Sequence, residues 1–170
     1  MTEVFWYGCG HCYAFEPVIE PWVKKLPADV KFLRSPAMWP THRPGTPADL
    51  MSTHAKLYYA ALAMNAIDKL HGPLFDALQK QGKAMVDDAE IAEVVKAAGV
   101  DGDKFVATMK SFAVQSQVTQ ADARQKAFKV SGTPEMVVAN YYKITATGAG
   151  GQKEMLDVAD FLIKKLQAAK

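Results

Sequence analysis

Two cysteines separated by two residues are the side chains of this sequence best suited to chemistry. Cys9 and Cys12 are the only cysteines of the 170-residue chain, and they lie in the segment VFWYGCGHCYAFEP, residues 4–17. An apolar run precedes the pair, and a run with helical character follows it. Thiols at this spacing can form a structural disulfide, half of a metal site or a redox-active disulfide.

The predicted helix start at the cysteines favours redox chemistry. We expect a strand over residues 3–7 and a helix over residues 10–26, which places Cys9 at the N-cap and Cys12 one turn into the helix, on the same side. The first N–H groups of a helix have no partner within it and favour a negative charge, here a thiolate at Cys9. Cys12 is expected to be more buried and to stay protonated. Cys9 is therefore the predicted nucleophile and Cys12 the predicted resolving thiol.

His11 lies between the cysteines, and its protonated imidazole is predicted to stabilise the Cys9 thiolate further. The thiolate exists only in the reduced form, so each contact that stabilises it favours reduction of the disulfide. One unit of lowered thiol pKa corresponds to about 1.4 kcal/mol, or roughly 30 mV of more oxidising potential for a two-electron couple. The sequence therefore indicates a disulfide donor rather than a reductant.

Other uses of a cysteine pair fit the sequence less well. A zinc site needs about four ligands, and His42, His54 and His71 lie in a proline-rich loop or on predicted helices, where we expect solvated side chains. No metal site is therefore predicted. Covalent haem would need histidine directly after Cys12, where the sequence has Tyr13. A structural disulfide would constrain the unfolded chain little, and it stays open as an alternative.

Hydrophobic periodicity predicts the elements that position the pair. Pro17 is expected to kink the first helix, and residues 29–35 alternate as a second strand. Residues 36–53 contain four prolines and are typical of a loop. Helical spacing then continues to about residue 128, before two further strands and a final amphipathic helix.

This order predicts one α/β domain that carries an inserted block of helices, because neither terminal segment could close a sheet alone. We place the helical insertion at residues 48–121 and the α/β part at residues 1–47 and 122–170.

Composition argues against two classes of partner. The net charge of +2 is mild and no basic cluster with interleaved aromatic residues is present, so no nucleic-acid binding is predicted. No apolar run reaches the roughly 18 residues of a membrane span. The first residues show no charged n-region, apolar h-region or cleavage site, so we expect no signal peptide in this sequence.

The segment FWYGCGHCYAFEP resembles the active site of the thioredoxin superfamily, and specifically that of DsbA-type thiol:disulfide oxidoreductases. Pro17 is placed like the kinking proline of that superfamily. GTPEMVV, residues 132–138, resembles the loop in which a cis-proline, here Pro134, faces the redox pair. The block of helices resembles the insertion that marks DsbA proteins. The resemblance covers nearly the whole chain and implies an α/β, thioredoxin-like fold with an inserted all-helical domain.

The resemblance also implies a mechanism, partners and a compartment. A thiolate of a reduced, unfolded polypeptide would attack the Cys9–Cys12 disulfide and form a mixed disulfide through Cys9, which a second client thiolate would resolve. The backbone of Thr133, before Pro134, would pair with the client chain like an added strand. A DsbB-type membrane partner linked to quinones would reoxidise the pair, with no cofactor beyond the disulfide, in the periplasm.

Glu3 and Arg34 are further candidates that the resemblance implies. DsbA-like proteins place a buried acid in the first of these strands, near a basic residue on the next, and such an acid could take part in proton transfer at Cys12. An acid inside a buried strand is costly unless it is paired or protonated. The alternative is that Glu3 is the solvated start of a strand.

Three departures from the DsbA pattern keep other functions open. Gly10-His11 stands where many DsbA proteins have Pro-His, and Thr133 stands where many have valine; both features resemble disulfide isomerases. The first strand of DsbA-type chains is absent from the sequence, so the strand at 29–35 is expected at a sheet edge. A disulfide isomerase or reductase, and a peptide-binding module with a structural disulfide, are the alternatives.

Overall fold

A mixed sheet joins the first and last parts of the sequence. The structure is a computed structural model and describes residues 1–39 and 49–169. Over these residues the sheet contains four strands, which are β1 (Thr2–Phe5), β2 (Leu33–Pro36), β3 (Glu135–Val138) and β4 (Tyr142–Thr145). Their spatial order is β2-β1-β3-β4, with β2 parallel to β1 and β3 antiparallel to both of its neighbours. The segment with both cysteines therefore follows a central strand.

Helices flank this sheet and also form a separate block between β2 and β3 in the sequence. They are α1 (Gly10–Val23), α2 (Leu50–Ala63), α3 (Ile67–Gln79), α4 (Asp88–Ala97), α5 (Gly102–Met109), α6 (Phe112–Ala127), the short α7 (Ala146–Ala149) and α8 (Gln152–Ala168). α1 and α8 pack against each other, and α8 also packs on β3 and β4. The predicted order of strand, helix, strand, helical block, two strands and helix is confirmed.

Helix α1 begins at the cysteines and buries one face. Cys9 is its N-cap, with extended backbone (φ −92°, ψ 112°). Cys12, Phe15 and Ile19 recur at helical spacing and are buried. Pro17 lies inside the helix, and the kink at this residue stays a prediction.

Both α1 and β2 are shorter than predicted. α1 ends at Val23 because the hydrogen bonds that follow have the spacing of a 3₁₀ turn. The Leu26 N–H donates to the Val23 carbonyl three residues earlier (3.2 Å). β2 begins at Leu33 because β1 offers it a partner only from Thr2 onward.

The limits of the helical block differ from the predicted ones. The loop predicted over residues 36–53 lies partly outside the described residues, and its last four residues are helical because α2 starts at Leu50. At the other end, the predicted boundary between residues 121 and 122 falls within α6. The division into residues 48–121 and the two flanking segments stays a prediction.

Adjoining clusters of buried side chains hold the sheet and the helices together. One cluster joins Phe15 of α1 to Met136 of β3 and Met155 of α8. Another contains Tyr7 and Cys12 together with side chains from α2 to α6. The segment around the cysteines is therefore packed directly against the helical block.

The expectation that His54 and His71 are solvated is wrong. Their side chains lie on the inward faces of α2 and α3, and the residues are only 2% and 8% exposed. Each buried ring forms a hydrogen bond with an aromatic residue next to the cysteines, Trp6 for His54 and Tyr7 for His71. These hydrogen bonds compensate the cost of burying a polar side chain. His42 lies outside the described residues.

The contact between α4 and α5 gives a test of the helical block. A Cβ atom at Gly102 would overlap the backbone carbonyl of Ala92, so Gly102→Ala is expected to lower the unfolding free energy by about 1–3 kcal/mol. Lys104→Ala is the control on the same helix, because Lys104 is an exposed residue of α5. Its unfolding free energy should change by no more than about 0.5 kcal/mol. Urea denaturation measures both, and equal effects would contradict the α4–α5 packing.

Candidate active site

The two cysteines meet at the first turn of α1, and both are free thiols in this structure. The Cys12 N–H donates a hydrogen bond to the Cys9 sulfur at 3.2 Å. The Cys9 thiol in turn donates to the carbonyl of Thr133 at 3.4 Å. Cys9 is partly exposed, whereas Cys12 is fully buried. An incoming thiol therefore reaches the sulfur of Cys9 first.

The two thiols differ strongly in acidity. A hydrogen bond from the Cys12 thiol is the main cause that lowers the pKa of Cys9 to about 6. The Thr133 side chain and the backbone N–H groups of Cys12 and His11 act in the same direction, against the effect of burial. Burial, followed by the contact with Cys9, raises the pKa of Cys12 well above the ordinary thiol value. The difference has the direction that the sequence analysis predicts.

The backbone of His11 contacts both Cys9 and α8. Its N–H is among the groups that lower the pKa of Cys9, and its carbonyl accepts a hydrogen bond from Gln152 Nε2 of α8 at 2.7 Å. The side chain is exposed. The predicted stabilisation of the thiolate by the imidazole stays a prediction.

The loop before β3 brings Thr133 and Pro134 to the cysteines. The peptide bond between them is cis, and the Thr133 carbonyl faces the Cys9 sulfur. A groove of about 620 Å³ opens beside this loop. It is lined by His11, Thr133, Pro134, Thr145, Thr147 and Gln152, among others.

Glu3 is a buried acid that is held by Arg34. The two residues are register partners in the parallel pair of β1 and β2, and Arg34 Nε donates to Glu3 Oε2 at 2.9 Å. Arg34 also contacts Glu16 at 3.3 Å and Glu20 at 2.7 Å. Burial raises the pKa of Glu3 to about 7, although Arg34 acts to lower it. The alternative that Glu3 is a solvated strand start is wrong.

Two histidine contacts that the sequence did not predict fix the segment before Cys9. The Trp6 indole N–H donates to His54 Nδ1 at 2.9 Å, and His54 Nε2 binds the Ala84 carbonyl. Tyr7 Oη lies 2.8 Å from His71 Nδ1. The sequence contains a pattern that indicates burial of both histidines, because each precedes a buried leucine by three positions and a buried aromatic residue by four.

A side chain of α3 also contacts the active-site segment. Gln79 Nε2 donates to the Tyr7 carbonyl at 2.8 Å. Its Oε1 faces Gly10 and would lie 3.6 Å from a Cβ atom there. The helical block thus reaches the backbone on both sides of Cys9.

The part of the chain that the structure describes contains neither a metal-binding cluster nor a membrane-spanning helix. In residues 1–39 and 49–169, no three or more His, Cys, Asp or Glu side chains are grouped so that they could hold a metal ion. No described helix is long and apolar enough to cross a membrane.

Comparison with known proteins identifies the family. Residues 34–159 match the DSBA-like thioredoxin domain. The thiol:disulfide interchange protein DsbA of Pseudomonas syringae pv. tomato is 44% identical over 169 residues, which are 99% of this chain and 75% of that protein. The chain belongs to the DsbA family. The DsbA of Pseudomonas aeruginosa is 39% identical, over 99% of this chain and 76% of that protein.

Solved DsbA structures share the fold. The crystal structure of Pseudomonas aeruginosa DsbA superposes with a TM-score of 0.87 at 39% identity, over 99% of this chain and 83% of that one. DsbA from Xylella fastidiosa gives a TM-score of 0.86 at 26% identity, over 98% and 85%. The predicted thioredoxin-like fold with inserted helices is confirmed. DsbA proteins are thiol:disulfide oxidoreductases, and this chain is one of them.

Alkylation tests the acidity of Cys9. In the reduced protein, the rate of Cys9 alkylation by iodoacetamide is expected to have its midpoint near pH 6, because the pKa of Cys9 is lowered to about 6. In Cys12→Ala the midpoint should move upward, since the Cys12 thiol makes the largest contribution. Mass spectrometry across a pH series measures both. A wild-type midpoint at the ordinary thiol value would contradict the geometry described for this site.

The raised pKa of Glu3 predicts how stability depends on pH. Between about pH 4.3, the ordinary glutamate value, and about pH 7, folded Glu3 holds a proton that unfolded Glu3 has lost. The unfolding free energy that Glu3 contributes should therefore fall as pH rises through this range. Glu3→Gln removes the titration, so its stability relative to wild type should increase over the same range. Urea denaturation of the oxidised proteins measures this, and Glu93→Gln, an exposed acid of α4, is the control. Parallel curves for wild type and Glu3→Gln would contradict the assignment.

Proposed function

We propose that the oxidised Cys9–Cys12 pair donates its disulfide to reduced, unfolded polypeptides. The observation that carries the proposal is the contrast between a partly exposed, acidic thiol at Cys9 and a buried thiol of raised pKa at Cys12. A thiolate leaves a disulfide faster when its pKa is lower. Cys9 is therefore the better leaving group when a client disulfide forms.

The exchange has two steps. A client thiolate attacks the Cys9 sulfur, the Cys9–Cys12 bond breaks, and Cys12 takes up a proton because burial disfavours its thiolate. A second client thiolate attacks the client sulfur of this mixed disulfide and expels Cys9 as a thiolate. The client gains one disulfide, and the pair receives the two electrons.

Three further residues have supporting roles in the proposal. Glu3, with its pKa raised to about 7, is the candidate proton donor for Cys12, and Arg34 holds its carboxylate. The Thr133 backbone beside Cys9 is placed to pair with an extended client chain in the groove next to Pro134.

The DsbA family indicates the compartment and the partners of the reaction. DsbA proteins are periplasmic, use a redox-active disulfide and act on thiol proteins with a DsbB partner. For this chain we propose exported clients in the periplasm, reoxidation by a DsbB-type membrane protein linked to quinones, and no cofactor besides the disulfide.

Oxidative refolding tests the direction of the reaction. The oxidised protein is expected to accelerate disulfide formation in reduced, unfolded ribonuclease A, and its own disulfide should be reduced readily by glutathione, because the Cys9 thiolate is stabilised. Rapid acid quenching and mass spectrometry measure both. If the pair stays oxidised in reducing glutathione and refolding is not accelerated, the oxidase proposal is wrong. Rearrangement of scrambled ribonuclease without net oxidation would favour the isomerase alternative.

A trapping experiment tests the role of each cysteine. Cys12→Ala should accumulate a mixed disulfide with scrambled, disulfide-bonded ribonuclease, because the Cys9 thiolate attacks a client disulfide, one client thiol is released, and no neighbouring thiol remains to displace the client from Cys9. Cys9→Ala should accumulate far less, since Cys12 is buried. Non-reducing electrophoresis separates the adducts. Failure of Cys12→Ala to trap the client would indicate that the disulfide is only structural.

A further inference from the structure

Glu135 is a buried acid that the exchange mechanism does not use. It follows Pro134 directly as the first residue of β3 and is only 3% exposed. A buried carboxylate is costly unless hydrogen bonds or an opposite charge compensate it. The contacts of its carboxylate therefore indicate why an acid occupies this buried position.

The contacts of Glu135 converge on the chain that leads into the active-site loop. Its Oε1 accepts hydrogen bonds from the Ser131 backbone N–H (3.2 Å) and the Ser131 hydroxyl (2.9 Å). Its Oε2 lies 3.6 Å from Lys143 Nζ of β4. That same ammonium group donates to the Lys129 carbonyl at 2.7 Å. Glu135 and Lys143 thus hold the chain at two points, residues 129 and 131.

The loop itself has little other support. Outside the helices and strands, the described backbone forms no backbone-to-backbone hydrogen bond at residues 131–134. Yet this loop carries the Thr133 carbonyl, which lies 3.4 Å from the Cys9 sulfur, and it lines the groove with His11. The side chain of Glu135 is therefore the main polar contact that fixes the start of the loop.

We propose that Glu135, supported by Lys143, is a positioning residue that holds residues 131–134 in the shape that binds the client chain. The inference rests on the proposed function, because a fixed loop affects the reaction only if the client chain pairs with the Thr133 backbone. Glu135 touches neither cysteine in this arrangement. Its loss should therefore weaken client binding more than it slows exchange at the sulfurs.

Kinetics with a synthetic peptide tests this. The probe is a reduced peptide with two cysteines, whose oxidation is followed by fluorescence at varied concentration. Glu135→Ala is expected to raise KM about tenfold, the loss typical of a hydrogen bond to a charged group, with a smaller change in kcat. Glu135→Gln keeps an oxygen for Ser131, so its KM should return towards the wild-type value. Lys143→Met should raise KM less than Glu135→Ala does, because the Ser131 contacts remain.

Controls separate positioning from general destabilisation. Glu93→Ala, which removes an exposed acid of α4, should leave KM unchanged. Thermal unfolding reports whether each variant folds, and Ser131→Ala, which removes only the hydroxyl donor, replaces Glu135→Ala if that variant does not fold. Ser131→Ala should raise KM in the same direction by a smaller factor. The equilibrium with glutathione should stay at the wild-type value in Glu93→Ala.

The outcomes are distinguishable from failure of the proposed function. A wild-type chain that oxidises no peptide would overturn the proposed function and this inference with it. A wild-type chain that oxidises the peptide, combined with an unchanged KM in Glu135→Ala and Ser131→Ala, would overturn the inference alone. A change in kcat without a change in KM would overturn it as well.

Discussion

The acidity of one sulfur atom depends on its place at the start of a helix. The Cys9 sulfur receives the Cys12 N–H at 3.2 Å and is the N-cap of α1. Because the neighbouring Cys12 thiol, and after it Thr133 and the first amides of the helix, act on the same atom, its pKa falls to about 6 even though burial acts against this. Cys12, one turn further on, lies in the core and experiences the opposite effect. The difference in thiol pKa between Cys9 and Cys12 thus arises within a single helical turn.

The rest of the fold holds this turn in place from two sides. The helical block reaches the segment before Cys9 through His54, His71 and Gln79, which bind Trp6 and Tyr7. The sheet supplies the loop that faces the cysteines, and α8 binds the backbone between them. An α/β domain without the inserted helices would leave the aromatic residues of this segment without their polar partners.

The sequence predicted the order of elements and the site of chemistry because these depend on local spacing. It failed where a contact joins distant residues. Residue type predicts a surface position for His54 and His71, although each precedes a buried leucine and a buried aromatic residue on its helix. The family resemblance implies the pair of Glu3 and Arg34, whereas the residues alone leave the burial of Glu3 open, because it depends on the register that sets the two opposite each other. The contact between Glu135 and Ser131 depends on the path of a loop, for which no spacing rule exists.

Gln79 brings the last turn of α3 into contact with the residues around the cysteines. Its amide holds the Tyr7 carbonyl while its oxygen faces Gly10, close to where a side chain would start. A Cβ atom at position 10 would be in ordinary van der Waals contact with this oxygen, 3.6 Å away. The last turn of α3 and the first residue between the cysteines therefore form one packing unit, and a change of size at either position acts on the other.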